Sequence, residues 1–259
     1  DKYNRTPLHE AVREGHKEVV DLLIQRGADV SARENDKRTP LHLAAGEGHK
    51  AVVDLLIQRG AHVAALDKYH RTPLHVAVAN GDKEVIDMLF QHGALVAARD
   101  RHNRTPLYVA ACKGHEEIVG LLIRRRADVS APDKYNGTSL HVAAERGHKE
   151  VVDLLIQRGA DVAARDKYNG TSLHEAARSG HKEVVDLLIR RRADVSARDN
   201  HDGTPLHEAA RRDHKEVVDL LIQRGAHVAA RDKCNQTPLD LAAASGHKEV
   251  VDLLIRHGA

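Results

Sequence analysis

The sequence predicts an all-α fold, a solenoid of stacked antiparallel helix pairs with projecting β-turn loops, and three observations carry that expectation. Thr6, Thr39, Thr72, Thr105, Thr138, Thr171, Thr204 and Thr237 recur every 33 residues, a period that marks an array of identical supersecondary units. Of the 259 residues 41% are hydrophobic but only 2% aromatic, with no Trp and a single Phe, Phe90. The core must therefore be cut into thin layers of Ala, Val, Leu and Ile instead of being built around large rings. Charged residues interrupt every apolar run, which leaves no segment long enough to cross a bilayer. The period divides the chain into units 1–33, 34–66, 67–99, 100–132, 133–165, 166–198, 199–231 and a shorter 232–259, and one domain over 1–259 is expected.

Each unit opens on a polar turn, such as Asp-Lys-Tyr-Asn-Gly at 166–170. The first helix follows a threonine. In Thr204-Pro205 a hydroxyl N-cap precedes a proline whose missing N–H is no loss at the first helical position. This helix closes about two turns later at Gly15, Gly48, Gly81, Gly114, Gly147, Gly180 or Gly246, where a left-handed residue ends it. The second helix runs through Lys-Glu-Val-Val-Asp-Leu-Leu-Ile, with acids early and arginines late, as the helix dipole favours. It stops at a second glycine such as Gly27, Gly60 or Gly225. Arg126 and Arg192 stand in place of that second glycine and Asp213 in place of the first, each at a position that favours φ > 0 and costs about 1 kcal/mol relative to Gly. Local softness is expected there. Helices this short are marginal alone. Leu8, Ala11, Val12, Val19, Leu22 and Leu23 can be buried only against the same residues of neighbouring units, which is the logic of a quasi-one-dimensional solenoid.

The steps Thr6-Pro7-Leu8-His9, Thr39-Pro40-Leu41-His42, Thr72-Pro73-Leu74-His75 and Thr204-Pro205-Leu206-His207, with the 33-residue period, resemble the ankyrin repeat. Ser139 and Ser172 replace Pro in two units, and Tyr108 and Asp240 replace His in two others. The resemblance covers the whole chain. It implies a curved stack whose first helices line a concave face beside projecting turns. It also implies function by binding a partner protein, without catalysis.

Forty Lys and Arg against 38 Asp and Glu leave a net charge of +2, too near neutral to imply a polyanionic partner by bulk electrostatics. Two cysteines, Cys112 and Cys234, make neither a disulfide framework nor a metal site and suit a reducing, intracellular and cytoplasmic setting. The opening Asp-Lys-Tyr-Asn is neither a signal nor a transit segment, so the expectation is a soluble chain or a piece of a longer one, with no membrane partner.

The histidines fall in two registers, His9, His42, His75, His141, His174 and His207 in the first helix, and His16, His49, His115, His148, His181, His214 and His247 between the helices. A metal site needs ligands that converge, whereas equivalent residues of stacked units are offset by roughly 8–10 Å. Capping is the expected role: His9 stands three residues after Thr6, within reach of the cap. His9-Glu10, His174-Glu175 and His207-Glu208 begin the zinc-protease pattern H-E-x-x-H, but Arg13, Arg178 and Arg211 occupy the second ligand position. No cofactor motif appears. Five N-x-[ST] sequons, beginning at Asn4, Asn103, Asn136, Asn169 and Asn235, reuse the capping threonine and read as turn chemistry.

Comparison of the units with one another locates a candidate site. The exposed i, i+3, i+4 face of the first helix is charged in units one, six and seven. In units two to four it reads Leu43/Gly46/Glu47, Val76/Ala79/Asn80 and Val109/Cys112/Lys113. The turns there carry Arg38, Arg71 and Arg104, which give way to Gly137, Gly170 and Gly203, and Tyr69 and Tyr108 add amphipathic anchors. The expected partner-binding residues are Arg38, Tyr69, Arg71, Val76, Ala79, Asn80, Arg104, Tyr108, Val109, Cys112 and Lys113. They would dock a protein segment with an apolar residue and acidic neighbours; drift on an unused surface is the alternative.

Two further readings stay open. Repeated His-Lys-Glu-Val-Val-Asp-Leu-Leu-Ile suggests an engineered or sequence-averaged scaffold without a native partner, against which stand the irregular Arg126, Arg192, Asp213 and Pro132. Nucleic-acid binding along Arg124-Arg125-Arg126 and Arg190-Arg191-Arg192 is the less favoured, because no aromatic residues interleave the triplets. The terminal units keep internal-type Val19, Val20, Leu22, Leu23 and Val250, Val251, Leu254, Ile255 where arrays need polar caps. Either neighbouring sequence has been cut away or the ends self-associate.

Overall fold

The computed structural model describes residues 3–259. The chain divides into two compact units, Asp1–Asp128 and Val129–Ala259. The first contains α1 (Pro7–Arg13), α2 (Lys17–Gln25), α3 (Pro40–Glu47), α4 (Lys50–Gln58), α5 (Pro73–Asn80), α6 (Lys83–Gln91), α7 (Pro106–Lys113) and α8 (Glu116–Arg124). The second contains α9 (Ser139–Glu145), α10 (Lys149–Gln157), α11 (Ser172–Arg178), α12 (Lys182–Arg190), α13 (Pro205–Arg211), α14 (Lys215–Gln223), α15 (Pro238–Ala244) and α16 (Lys248–Arg256). Within each unit every odd-numbered helix packs on its even partner and on the next odd helix, and even helices stack likewise. There is no strand among the described residues. The turn tips are nevertheless tied by single backbone bonds, such as Lys68 N–H to Asp36 O at 2.8 Å and Arg101 N–H to Tyr69 O at 2.9 Å.

The core is layered as the composition requires. Leu41, Leu56, Leu74, Ile86, Leu89, Leu107 and Leu122 in the first unit, and Leu140, Leu155, Leu173 and Leu188 in the second, are fully buried between small alanines and valines. Each contributes about 2 kcal/mol of burial.

Histidines cap and staple the repeats. In the first register His42 Nδ1 accepts from Thr39 N–H at 3.2 Å and from its hydroxyl at 2.9 Å, while Nε2–H donates to the carbonyl of Arg71 at 3.0 Å. A backbone N–H aimed at Nδ1 places the ring proton on Nε2, so the imidazole is neutral. The same capping geometry recurs at His9, His75, His141, His174 and His207. Burial pushes the His42 ring down to about 4 and lowers the other five from 6.5 as well. The second register reaches backward: His49, His181, His214 and His247 donate from Nε2 to the carbonyls of Arg13, Glu145, Arg178 and Arg211 at 2.8–3.0 Å. A repeat is thus held to one neighbour by its cap and to the other by its inter-helix imidazole.

The glycine before that imidazole is required twice over. Gly147 lies at φ +75, and a Cβ there would sit 2.6 Å from the His181 ring. Asp213, which replaces this glycine in the seventh repeat, keeps φ at 63 and lies 3.8 Å from His247 Nδ1. Arg126 and Arg192 also hold positive φ, as do the sequon residues Asn4, Asn103, Asn136, Asn169 and Asn235, which explains Asn at those turns.

Ser139 and Ser172 stand where other first helices begin with Pro, and their buried hydroxyls have no hydrogen-bond partner. Thr138 and Thr171 already have the extended φ, ψ that precedes proline. Ser139→Pro and Ser172→Pro are each expected to raise stability by about 0.5–1 kcal/mol, read as a higher midpoint in urea unfolding.

Candidate interaction surface

The turn before each first helix is organised by its opening acid. Asp67 Oδ1 accepts from the N–H groups of Tyr69 and Arg71 at 2.8 and 2.9 Å, and its own N–H donates to Arg71 O. Asp100, Asp133, Asp166, Asp199 and Asp232 repeat the arrangement. In the repeats that carry arginine, its guanidinium closes over the acid. Arg71 Nη2 lies 2.7 Å from Asp67, Arg104 Nη2 2.6 Å from Asp100, and Arg38 Nε 2.5 Å from Glu34, with the three acid side chains 0–3% exposed. Burial works against ionisation of Asp100, yet the hydrogen bonds from Arg104 hold it below the usual carboxylate range. The arginine rim is therefore internally neutralised, which periodicity alone does not reveal.

Tyr69 is also engaged. Its ring has Arg101 at 4.6 Å and Lys68 and Arg71 at 5.0 Å from its centroid, so cations already occupy the aromatic faces. Val76 lies flush against α3, because Gly46 leaves room for it: a Cβ on Gly46 would approach Val76 Cγ1 to 2.8 Å. Asn80 is exposed at the end of α5.

Seven of the eleven expected residues converge. Arg71, Ala79, Arg104, Tyr108, Val109, Cys112 and Lys113, joined by His75, line a cleft of about 170 Å³ between α5 and α7. Arg38, Tyr69, Val76 and Asn80 lie outside it. His75 was not expected there, since its position in the repeat announces a cap. Tyr108 takes the place of the capping histidine in this repeat; Thr105 still caps its N–H at 3.2 Å, and Tyr108 forms part of the cleft wall. Lys113 is exposed, without an ion pair among the described residues.

The same face of the second unit is closed upon itself. Arg178 bridges Glu175 and Glu208 at 3.1 and 2.9 Å, and Arg211 adds a contact to Glu208 at 2.7 Å. Burial raises Glu175. For Glu208 burial acts the same way, but Arg211 and Arg178 outweigh it and keep the carboxyl low. The arginine triplets are partly neutralised too: Arg125 pairs with Asp87 at 3.1 Å and Arg191 with Asp153 at 2.5 Å. Among the described residues no group of three or more His, Cys, Asp or Glu has metal-holding geometry, and no helix is long and apolar enough to cross a membrane.

The profile described as ankyrin repeats in three copies matches residues 31–100, 64–133, 95–166, 130–199 and 173–259, and that of the single ankyrin repeat matches 3–35. The chain belongs to the ankyrin-repeat family. Ankyrin repeats are in general protein–protein interaction modules and typically non-enzymatic. A search of curated proteins finds no match. The paired helices, the threonine caps and the histidine staples are this chain's version of the ankyrin architecture.

Proposed function

We propose that this ankyrin-repeat protein is a non-catalytic binding module that docks a protein segment on the first-helix face and turn tips of its second to fourth repeats. The cleft between α5 and α7 carries the reading: it presents Tyr108, Val109 and Ala79 as an apolar floor beside the unpaired Lys113. A volume of about 170 Å³ suits one apolar side chain. Arg71 and Arg104 contribute in a smaller way than free rim cations, because Nε and Nη2 of each are engaged with Asp67 and Asp100, which leaves the two N–H groups of Nη1 and the second of Nη2 as donors. The favoured ligand is a short segment with an apolar anchor next to an acid that meets Lys113.

A displayed random-peptide library panned on the protein is expected to yield such segments. Val109→Arg fills the cleft and should weaken the selected peptides by about tenfold or more. Peptides that bind the Val109→Arg variant as tightly as the parent would place the site elsewhere.

A further inference from the structure

The loop after the second helix carries an acid at one fixed step, Asp29, Asp128, Asp161 and Asp194, in the first, fourth, fifth and sixth repeats, and this step is His227 in the seventh. Where the acid is present its carboxylate accepts the N–H two residues on: Asp29 from Ser31 at 2.8 Å, Asp161 from Ala163 at 2.8 Å and Asp194 from Ser196 at 2.9 Å. This is an Asx-turn. With histidine in place of the acid, the N–H of Ala229 has no acceptor among the described residues. The seventh repeat has lost a negative charge and gained an orphan donor at the same point.

A cavity of about 400 Å³ opens there, walled by Val195, Ser196, Arg198, His227, Ala229 and Arg231 among others, and no Asp or Glu lines it. Its lining comes wholly from the sixth and seventh repeats, within the second compact unit. Arg198 is held in place by Nη1, which donates to the carbonyls of Asp202 at 3.1 Å and Arg231 at 2.8 Å. Arg231 Nη1 donates to Asn235 O at 3.1 Å. These acceptors are neutral. Neither guanidinium has an ion pair among the described residues, and Nε and Nη2 of each remain as donors. Arg71 and Arg104, by contrast, are closed over Asp67 and Asp100. The charge of Arg198 is felt nearby: His207, which burial already lowers, is pushed further down by it.

From this cavity, its two acid-free guanidiniums and the orphan N–H, we infer that the loops of the sixth and seventh repeats bind a small phosphate monoester. One phosphate oxygen takes the place of the missing carboxylate and accepts from Ala229 N–H. The others meet the open nitrogens of Arg198 and Arg231, whose planar donor forks suit phosphate. A dianion matches two guanidiniums where a single carboxylate would match one. The cavity is also larger than the anionic group alone, and Val195 and Ala229 offer an apolar wall to its organic substituent.

Titration of the whole chain with glycerol 3-phosphate at constant ionic strength, followed by amide NMR shifts, tests this. Saturable shifts centred on Ser196, Ala229 and Ala230 are expected, with half-saturation at about 1 mM or below, and glycerol alone should produce none. His227→Asp and Arg198→Leu should each weaken binding by about tenfold or more. Both place at this site a residue that another repeat carries at the same step, Asp194 and Leu66, so circular dichroism should show unchanged helix content. Arg158→Gln, outside the cavity, should bind as the parent does. Absence of saturation, variants that bind as tightly as the parent, or glycerate that binds as tightly as glycerol 3-phosphate would each overturn the proposal. Retention on phosphatidic acid vesicles without a response to glycerol 3-phosphate would overturn the assignment to a small molecule.

Discussion

Acidification below pH 6.5 is expected to destabilise the protein steadily through its buried histidines. His9, His42, His75, His141, His174 and His207 are buried as neutral caps, and their ring pKa values are lowered by burial. Above pH 6.5 they are neutral whether the chain is folded or not, and they add no pH dependence. Below it the unfolded chain binds protons that the folded chain refuses, so stability falls with pH. For His42 the fall continues until pH reaches about 4, a total near 3 kcal/mol from this one ring. The other five act in the same direction, which makes the combined slope steep against a net stability of only about 5–15 kcal/mol. Urea unfolding followed as a function of pH gives that slope directly. His42→Gln should reduce it between pH 6 and 5 by about 1.4 kcal/mol per pH unit, the equivalent of one proton. An unchanged slope would mean that the cap is not the proton-linked group.

Much of this architecture can be read from the sequence because the repeat makes each signal eight-fold redundant. Threonine before proline fixed where the first helices start, and histidine three residues on foretold the capping box that the structure contains. What the period does not carry is the partner of each second nitrogen, because the carbonyls of Arg71 and Arg13 are recognisable as acceptors only once the repeats are stacked. The candidate face was legible in part. Small residues of units three and four, Ala79, Val109 and Cys112, line a cleft, whereas those of unit two do not, and the repeat pattern alone leaves the arginines beside it as free charge. The signal against that reading was present in the acid four residues earlier in each turn, Glu34, Asp67 and Asp100. In a turn, unlike a helix, that spacing has no fixed geometry, so only the folded backbone shows the two groups meeting.

Removing Asp67 is expected to cost much more than removing the arginine that covers it. Asp67→Ala takes the acceptor from two backbone N–H groups and from the Arg71 guanidinium in one step, a loss of about 3 kcal/mol or more. Arg71→Gly should cost about 1 kcal/mol, the order of a partly exposed ion pair plus the added freedom of glycine. The protein itself supplies the comparison: Gly137, Gly170 and Gly203 follow Asp133, Asp166 and Asp199 in turns that keep the same backbone hydrogen bonds. There the acids are half-buried, so water takes the place of the guanidinium. Arg71→Glu is different again, because it sets a second carboxylate beside one that is 0% exposed, and its effect should approach that of Asp67→Ala. Thermal unfolding of the three variants should therefore rank Arg71→Gly as mildest, and equal losses for Arg71→Gly and Asp67→Ala would show that the ion pair, not the backbone acceptor, holds the turn. The ranking also decides how binding is to be probed. A charge reversal at Arg71 or Arg104 disturbs the turn and the cleft together, whereas Val109→Arg changes the cleft while the acids and their arginines stay in place.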